Sequence, residues 1–346
     1  MPMPNHSRSS CTTRRVSAPV GRWLAGLAVG ATLAAAPLAS AGAADDFPIK
    51  PLRVVVGFAP GGGADVVARL VGAKMPDRLG QQVVVENRPG ATGTIAADNV
   101  ARSTADGYSM FLGSQSTMIV APNIYPSLPF DPIKDFTPIS QMVSMPLLLV
   151  VNPQHVKATT LAELTAELKG KGDGAVTYAS SGQGGPQHIA GELYKKMIGV
   201  DVTHVPYKGE SAALADVLGG HVPFMFANLP VAQTHVQSGK LRALAITSLE
   251  RSPKAKDIPT LDESGFDGFE VLTWYGVFAP AKTPAPVIAK LSESIQQSLK
   301  DEDLRRSLDE QGFTLIGSTP AEFRKMLDAD APRWAALIKE MGLRPE

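Results

Sequence analysis

The sequence predicts an α/β protein built from two similar halves. Short apolar strands alternate with helices along most of the chain, a pattern that favours a parallel sheet. Residues 54–71 have the pattern of a buried strand, a glycine loop and a helix. A second unit of the same kind follows at 176–198, about 120 residues later. Two such units predict two lobes with a ligand held between them.

The first glycine loop is Pro60-Gly61-Gly62-Gly63, directly after the strand. Glycines carry no Cβ, so a ligand can approach their backbone closely. The free N–H groups and the dipole of the following helix favour an anion there. A tight turn without a ligand explains the glycines equally well. The spacing matches neither a dinucleotide fingerprint nor a P-loop.

The N-terminal segment 1–44 has the pattern of a cleaved signal peptide, which predicts a periplasmic protein. Arg14, Arg15 and Arg22 precede or open the apolar stretch 23–36, and small residues at 39–43 fit the cleavage rule. A membrane anchor is the alternative, but this segment is poor in large aliphatic residues. Cys11 is the only cysteine, so the mature chain is predicted to form no disulfide and no cysteine-based metal site.

Charge excludes nucleic acid as a natural partner. Segment 1–44 holds four arginines and no acidic residue, which leaves 29 basic against 33 acidic residues in the rest of the chain. This mildly acidic balance lacks the clustered lysines and arginines that a nucleic-acid surface needs. We therefore expect an ordinary secreted globular protein.

The remaining elements of the first half follow in order. The third strand is expected to end in a polar loop at 114–117, and such strand ends are where α/β sheets bind ligands. The stretch 122–135 is irregular, and 139–151 contains two apolar runs interrupted at 144–146. Further predicted elements are strands at 83–86 and 109–113 and helices at 95–101 and from Thr160.

The second half repeats the architecture without a visible sequence repeat. Its polar, glycine-rich loop spans 180–187, and residues 271–278 are expected to cross back to the first lobe. Thr319 to Glu322 predicts the start of a last helix, which could pause at Pro332. Other predicted elements are strands at 203–205, 224–226 and 241–247 and a helix at 212–218.

Ordered motifs across nearly the whole mature chain carry a resemblance to a known family. They include FAPGGGADVVAR (58–69), VVVENRPGATGTIAAD (83–98), YASSGQGGPQHIAGELYK (178–195), VPYKGESAALADVLGG (205–220) and WYGVFAPAKTP (274–284). The chain resembles the Bug-type periplasmic receptors of tripartite tricarboxylate transporters.

The resemblance implies a two-lobed periplasmic binding protein of type II, the Venus-flytrap class, with two strands crossing the hinge. The implied lobes are 45–145 plus 272–346 and 146–271. It also implies a monomer that captures a small organic carboxylate and delivers it to membrane permease subunits, with no enzymatic activity, cofactor or metal. Ala227 and Gly185-Pro186 depart from the family pattern. Because many relatives have aspartate at the first position, its absence argues against an amino-acid ligand.

The expected ligand contacts come from the two glycine loops and from neighbouring strand ends. In the first half they are Phe58, Ala59, Pro60, Gly61, Gly62, Gly63, Asp65, Ser114, Gln115 and Thr117. In the second half they are Ser180, Ser181, Gly182, Gln183, Gly184, His188, Tyr207, Asn228 and Trp274.

Several of these residues have an ordinary structural alternative. Asp65 suits helix capping better than contact with an anion. Ser114 and Thr117 could merely close a turn, His188 could pack, and Trp274 could fill the hinge.

Two other functions compete with transport. A sensor subunit would present the same closed form to a membrane kinase. A serine hydrolase using Ser181 or Ser114 is weaker, because no nucleophile-elbow motif occurs.

Overall fold

The computed structural model describes residues 46–343. The predicted signal peptide, 1–44, lies outside these residues. Among the helices of 46–343, none combines the length and the apolarity that crossing a bilayer requires.

Ten strands form one continuous network. They are β1 (Leu52–Val56), β2 (Val83–Asn87), β3 (Ser109–Ser114), β4 (Phe136–Val151), β5 (Thr177–Ser180), β6 (Thr203–Pro206), β7 (Phe224–Asn228), β8 (Arg242–Ile246), β9 (Leu272–Pro280) and β10 (Thr314–Leu315).

Eleven α-helices of the described chain cover this network, with a 3₁₀ turn at Ala91–Gly93 and a π-helix at Ser116–Val120. The α-helices are α1 (Gly63–Lys74), α2 (Pro76–Leu79), α3 (Thr94–Ala101), α4 (Ala121–Ile124), α5 (Leu161–Lys171), α6 (Pro186–Ile198), α7 (Glu210–Leu218), α8 (Leu229–Gln237), α9 (Ala285–Ser298), α10 (Glu302–Glu310) and α11 (Pro320–Met341).

The strand order is β2-β1-β3-β9-β4-β7-β5-β6, with β8 and β10 also paired to β4. Strands β1, β2 and β3 are parallel, and so are β5, β6 and β7. Antiparallel β9 and β4 join these two parallel groups. The parallel sheet predicted for each half is therefore present, and the mixed pairing is confined to the connection between them.

Strand β4 connects the two halves of the fold. It pairs with β9 as far as Pro146 and with β7 from Leu147 onward. The interruption predicted at 144–146 is wrong, because the strand continues through Pro146. Proline has no N–H to donate. It is tolerated here because the pairing of β4 with β9 ends at Pro146 and the pairing with β7 begins at the next residue, so that no N–H is required.

One apolar core lies behind both halves. It includes Phe111 of β3, in the first parallel group, and Phe278 of the neighbouring strand β9. It also includes Tyr178 of β5, in the second parallel group, and Trp334 of α11. The long helix α11 packs on β4, and its Phe323 ring contacts the edge of the Trp274 ring at 5.6 Å between centroids. This cluster therefore joins the two halves of the fold.

Two local predictions differ from the structure. Residues 114–117 do not form a loop, because Ser114 ends β3 and a helical segment begins at once. Helix α11 does not pause at Pro332 but continues through it. Helix α8 and the short strand β10 were not predicted, since neither has a strong periodic pattern.

Candidate functional site

A cavity of about 390 Å³ lies between the two halves of the sheet. This volume suits a small organic molecule. Ten of the residues predicted from sequence line it: Phe58, Gly62, Gly63, Ser114, Gln115, Ser181, Gly182, Gln183, Asn228 and Trp274.

The other nine predicted residues lie next to these segments but do not line the cavity. They are Ala59, Pro60, Gly61, Asp65, Thr117, Ser180, Gly184, His188 and Tyr207. Ten further residues that were not among the predicted contacts also line it: Ala64, Thr92, Ser116, Gly185, Pro186, Gln187, Gly209, Glu210, Thr273 and Tyr275.

Three helix N-termini converge on the cavity. Helix α1 begins after Gly62, α6 after Gly185 and α7 after Gly209, and all three glycines line the wall. The first turn of a helix leaves its N–H groups without helical acceptors. Together with the helix dipoles, these groups make the cavity favourable for an anion.

The cavity wall contains one charged side chain, that of Glu210. Among residues 46–343, no lysine or arginine lines it. Any positive potential there therefore comes from backbone N–H groups, helix dipoles and neutral hydroxyl or amide donors, as the low charge of the glycine loops predicts.

Asp65 holds the first glycine loop in place. Its Oδ2 accepts hydrogen bonds from the Gly61 N–H at 2.9 Å and from Arg69 Nε at 3.0 Å, and its Oδ1 accepts one from Asn87 Nδ2 at 2.9 Å. Burial alone would raise the pKa of Asp65, but these hydrogen bonds outweigh it and lower the pKa. Asp65 does not line the cavity, but the expected helix cap is also wrong, because the N-cap residue Gly62 has no side-chain cap and the carboxylate instead holds the loop through the Gly61 N–H.

Ser180 and His188 hold the second glycine loop in the same way. The Ser180 hydroxyl oxygen accepts from the Gly182 N–H at 3.1 Å and lies 2.6 Å from His204 Nε2. His188 Nδ1 accepts from the Gly184 N–H at 3.0 Å, and its ring stacks on His204 at 3.8 Å.

Both histidines are neutral at pH 7. Burial, helped by the nearby Lys195 charge, lowers the pKa of His188 to about 4. Burial, with the His188 ring beside it, lowers the pKa of His204 to about 3. Neither ring can therefore offer a cation to a carboxylate at neutral pH.

Asn228 lines the cavity, yet its polar groups are engaged within the protein. Its backbone N–H and Nδ2 donate to the two Glu210 carboxylate oxygens at 2.6 and 2.7 Å, and its Oδ1 accepts from Thr273 Oγ1 at 3.2 Å. Asn228 thus positions Glu210 at the cavity wall. This role is hard to predict from sequence, since a glutamate in the first turn of a helix is usually an exposed dipole partner.

Some polar atoms at the cavity have no partner among residues 46–343. They are Gln183 Oε1 and Trp274 Nε1, both buried. Buried polar atoms in native proteins are nearly always hydrogen-bonded, so these atoms are available to a ligand or to water. Tyr275 completes this wall, with its hydroxyl 3.4 Å from the position of a Cβ built on Gly63.

Thr92 has a backbone conformation that β-branched residues rarely adopt, with φ 57°. Its carbonyl oxygen accepts a hydrogen bond from Thr117 Oγ1 at 2.7 Å, which holds the turn against the segment after β3. Strain of this kind is concentrated at binding sites. Thr117 therefore supports a cavity residue and does not itself line the cavity.

The fold and the cleft define the class of two-lobed periplasmic binding proteins. BugD, a periplasmic binding protein, superposes with a TM-score of 0.75 at 35% identity, covering 87% of this chain and all of that one. MatC from Rhodopseudomonas palustris, solved with bound malate, has a TM-score of 0.74 at 34% identity and covers 84% of this chain and all of that one. An R. palustris protein solved with adipate has a TM-score of 0.77 at 32% identity, covering 87% of this chain and all of that one.

The sequence comparisons place the chain within one family of that class. Residues 67–343 match the model of the tripartite tricarboxylate transporter family receptor. Protein BugT of Bordetella pertussis is 36% identical over 317 residues, covering 91% of this chain and 97% of that protein. The chain therefore belongs to the tripartite tricarboxylate transporter receptor family, and the resemblance found in the sequence is confirmed.

Proposed function

We propose that this protein is a periplasmic receptor that captures a small organic carboxylate and delivers it to the permease subunits of a tripartite transporter. In this proposal the signal peptide 1–44 is removed. The lobes are 45–145 plus 272–346 and 146–271, and they close as a monomer around the ligand. The convergence of three helix N-termini on a cavity without basic side chains supports the proposal most strongly.

The relatives support the ligand class. One was solved with malate and another with adipate, and both are carboxylates. Each covers at least 84% of this chain at 32–34% identity. We infer that the cleft of this chain also binds a carboxylate, through N–H groups at Gly62–Ala64 and at Gln187.

The energetics of such a site are sufficient for capture. A hydrogen bond to a charged group contributes roughly 1.5–3 kcal/mol net. After the free-energy cost of ordering is subtracted, four to six such bonds support a Kd of about 1 μM. This corresponds to a binding free energy of about −8 kcal/mol. Contacts from both lobes would favour the closed form, so binding would shift the population toward it.

A thermal-shift screen tests the binding class. The purified protein is heated with a panel of amino acids and of mono- and dicarboxylic acids, aliphatic and aromatic, and with the amide of each acid. We expect at least one acid to raise the melting temperature while its amide does not, since a ligand at 100 times its Kd adds about 2.7 kcal/mol. If no acid exceeds its amide, the carboxylate proposal is wrong.

Co-purification from detergent-solubilised membranes tests delivery against sensing. Ligand-loaded protein should retain a multi-span permease, and the same protein carrying Gly62→Val should not. Retention of a sensor kinase in place of a permease would contradict the transport role and leave ligand capture intact.

A further inference from the structure

We propose that the cleft selects acids that also carry an ammonium group, and that the Glu210 carboxylate accepts the hydrogens of that group. This inference rests on the proposed function, because it concerns a second contact to the same carboxylate ligand. It assigns Glu210, which the sequence analysis did not identify, as a specificity-determining residue.

Glu210 is held in one orientation. Its two oxygens accept from the Asn228 N–H at 2.6 Å and from Asn228 Nδ2 at 2.7 Å, and the Gln187 side chain adds a further hydrogen bond. Asn228 is itself fixed by Thr273. Because this carboxylate is already held in one rotamer at the cavity, ligand binding costs little further side-chain entropy at Glu210.

Burial raises the pKa of Glu210, and the hydrogen bonds from Asn228 and Gln187 act against that rise by favouring the ionised form. Donors approach both oxygens, and donors stabilise a carboxylate more than a carboxylic acid. Residue 210 also lies in the first turn of α7, where the helix dipole favours negative charge. In this proposal Glu210 is ionised at pH 7, with these donors and the helix dipole opposing the effect of burial.

An anion at this position would repel a ligand that carries only negative charge. Within the part of the chain that the structure describes, no lysine or arginine lines the cavity to offset it. A zwitterion removes the conflict, because its carboxylate can lie at the helix N-termini while its ammonium lies at Glu210. Gln183 also lines the cavity, and its Oε1 is buried without a partner in the described part of the chain.

This inference reverses one expectation from the sequence. The alanine at position 227 argued against amino-acid ligands, because no acidic residue was seen nearby. Ala227 precedes Asn228 on β7, and Glu210 reaches Asn228 from the neighbouring helix. An acidic group is thus present at this wall, contributed by a different element.

Matched ligand pairs test the proposal by titration calorimetry at pH 7. The pairs are L-glutamate and glutarate, L-aspartate and succinate, and 4-aminobutyrate and butyrate, which differ only in the ammonium group. We expect the ammonium-bearing member of at least one pair to bind at least tenfold more tightly. The proposal would be overturned if, in every pair, the acid without the ammonium group bound equally tightly or more tightly.

The variant Glu210→Gln removes the charge and nearly preserves the shape. We expect it to reduce the ratio of affinities within the selected pair at least tenfold. The matched control is Glu250→Gln, an exposed carboxylate of the same half that does not line the cavity, and it should leave the ratio unchanged. An unaltered ratio in folded Glu210→Gln would overturn the assignment; if that variant fails to fold, the wild-type ratios decide.

The remaining outcomes are also decisive. If Glu210 were protonated and donated to a second carboxylate, dicarboxylates would bind more tightly than amino acids and would tighten as pH falls, which would overturn the proposal. If acids in the wider panel bind but none of the pairs shows ammonium preference, this inference alone fails. If no acid binds at all, the proposed function fails with it.

Discussion

At Gly62 the chain turns from the first loop into helix α1 with φ −77° and ψ 166°. Any residue can adopt this conformation, and an added Cβ would meet only the Ala59 carbonyl oxygen, at an ordinary 3.5 Å. The glycine is therefore not required by the fold at this position. It is required if a ligand must approach the backbone N–H groups behind it.

Replacing Gly62 with valine tests this interpretation of the loop. We expect binding of the best acid from the screen to weaken at least 100-fold, because the side chain would occupy the space of the carboxylate. The melting temperature without ligand should stay within a few degrees of wild type, since surface changes of this kind cost little. The measurement is calorimetric titration beside a thermal melt.

The control for that variant is Gly170→Val, at an exposed helix position with no atom within 4 Å of the added Cβ. It should bind the acid as the wild type does. Wild-type affinity in Gly62→Val would mean that the first glycine loop does not contact the ligand.

The buried histidines beneath the second loop predict a stability that depends on pH. In the folded protein the pKa of His188 is about 4, against about 6.5 for an unfolded histidine. Between these values the unfolded chain binds a proton that the folded chain does not. The free energy of unfolding should therefore be highest above pH 6.5 and fall as pH drops toward 4, by at most ~1.4 kcal/mol per pH unit for His188.

Urea unfolding at pH 7.5, 6.0 and 5.0 measures this slope. His188→Gln keeps an acceptor for the Gly184 N–H and should flatten the slope, whereas His221→Gln, at an exposed histidine, should not. A slope that is identical in wild type and His188→Gln would contradict the buried, neutral assignment.

Sequence reasoning found the glycines and serines of the cleft but missed residues whose role depends on distant partners. Gly62 and Ser181 lie in local motifs that can be recognised from neighbours alone. Glu210 has significance only because β7 brings Asn228 beside it, 18 residues away in the chain. Thr92 is identified by its positive φ, which a sequence does not display.

At the scale of elements, a prediction made from a strong local sequence signal was confirmed, whereas one that depended on pairing between distant strands was wrong. The capping box from Thr319 to Glu322 forms as predicted, with each side chain bonded to the other's backbone N–H. The predicted break within 144–146 failed, because β4 exchanges partners at Pro146 and so continues through it. That exchange is a property of the sheet, and no local pattern encodes it.

Thr247 ties together the two chain segments that connect the halves. Its hydroxyl oxygen accepts from the Leu147 N–H at 2.8 Å and donates to the Val271 carbonyl at 2.6 Å, and the side chain is fully buried. Thr247→Val keeps the shape but leaves both groups unpaired. We expect a loss of about 1–3 kcal/mol in the free energy of unfolding, measured by urea titration.

The matched control is Thr314→Val, at an exposed threonine on β10. It should change stability by less than about 0.5 kcal/mol. If both variants behave alike, the Thr247 hydroxyl contributes nothing to the connection.

At the scale of the whole molecule, the halves also touch at the edge of the cleft. Lys254 Nζ lies 3.1 Å from Asp309 Oδ1 of α10, and Gly312 packs so closely on Pro230 that an added Cβ would lie 2.8 Å from its Cδ. These contacts join the segment 146–271 to the C-terminal helices. In the proposed closure of the two lobes, these contacts would be made in the closed form and lost on opening.

Asp309→Asn should therefore weaken ligand affinity without altering the site. Because an exposed ion pair contributes about 0–1 kcal/mol, we expect an increase in Kd of up to about fivefold. The effect should shrink at high salt. Asp303→Asn, on the same helix but paired with Arg306, serves as the control; a larger effect from the control would exclude a closing role for the Lys254–Asp309 pair.

A crystal structure with the best acid from the screen tests the central claim most directly. The account predicts the ligand carboxylate within hydrogen-bond distance, directly or through one water, of the N–H groups at Gly62–Ala64 and at Gln187. It also predicts both halves in contact with the ligand. A carboxylate bound to a lysine or arginine outside this cavity, or a ligand held by one half alone, would contradict it.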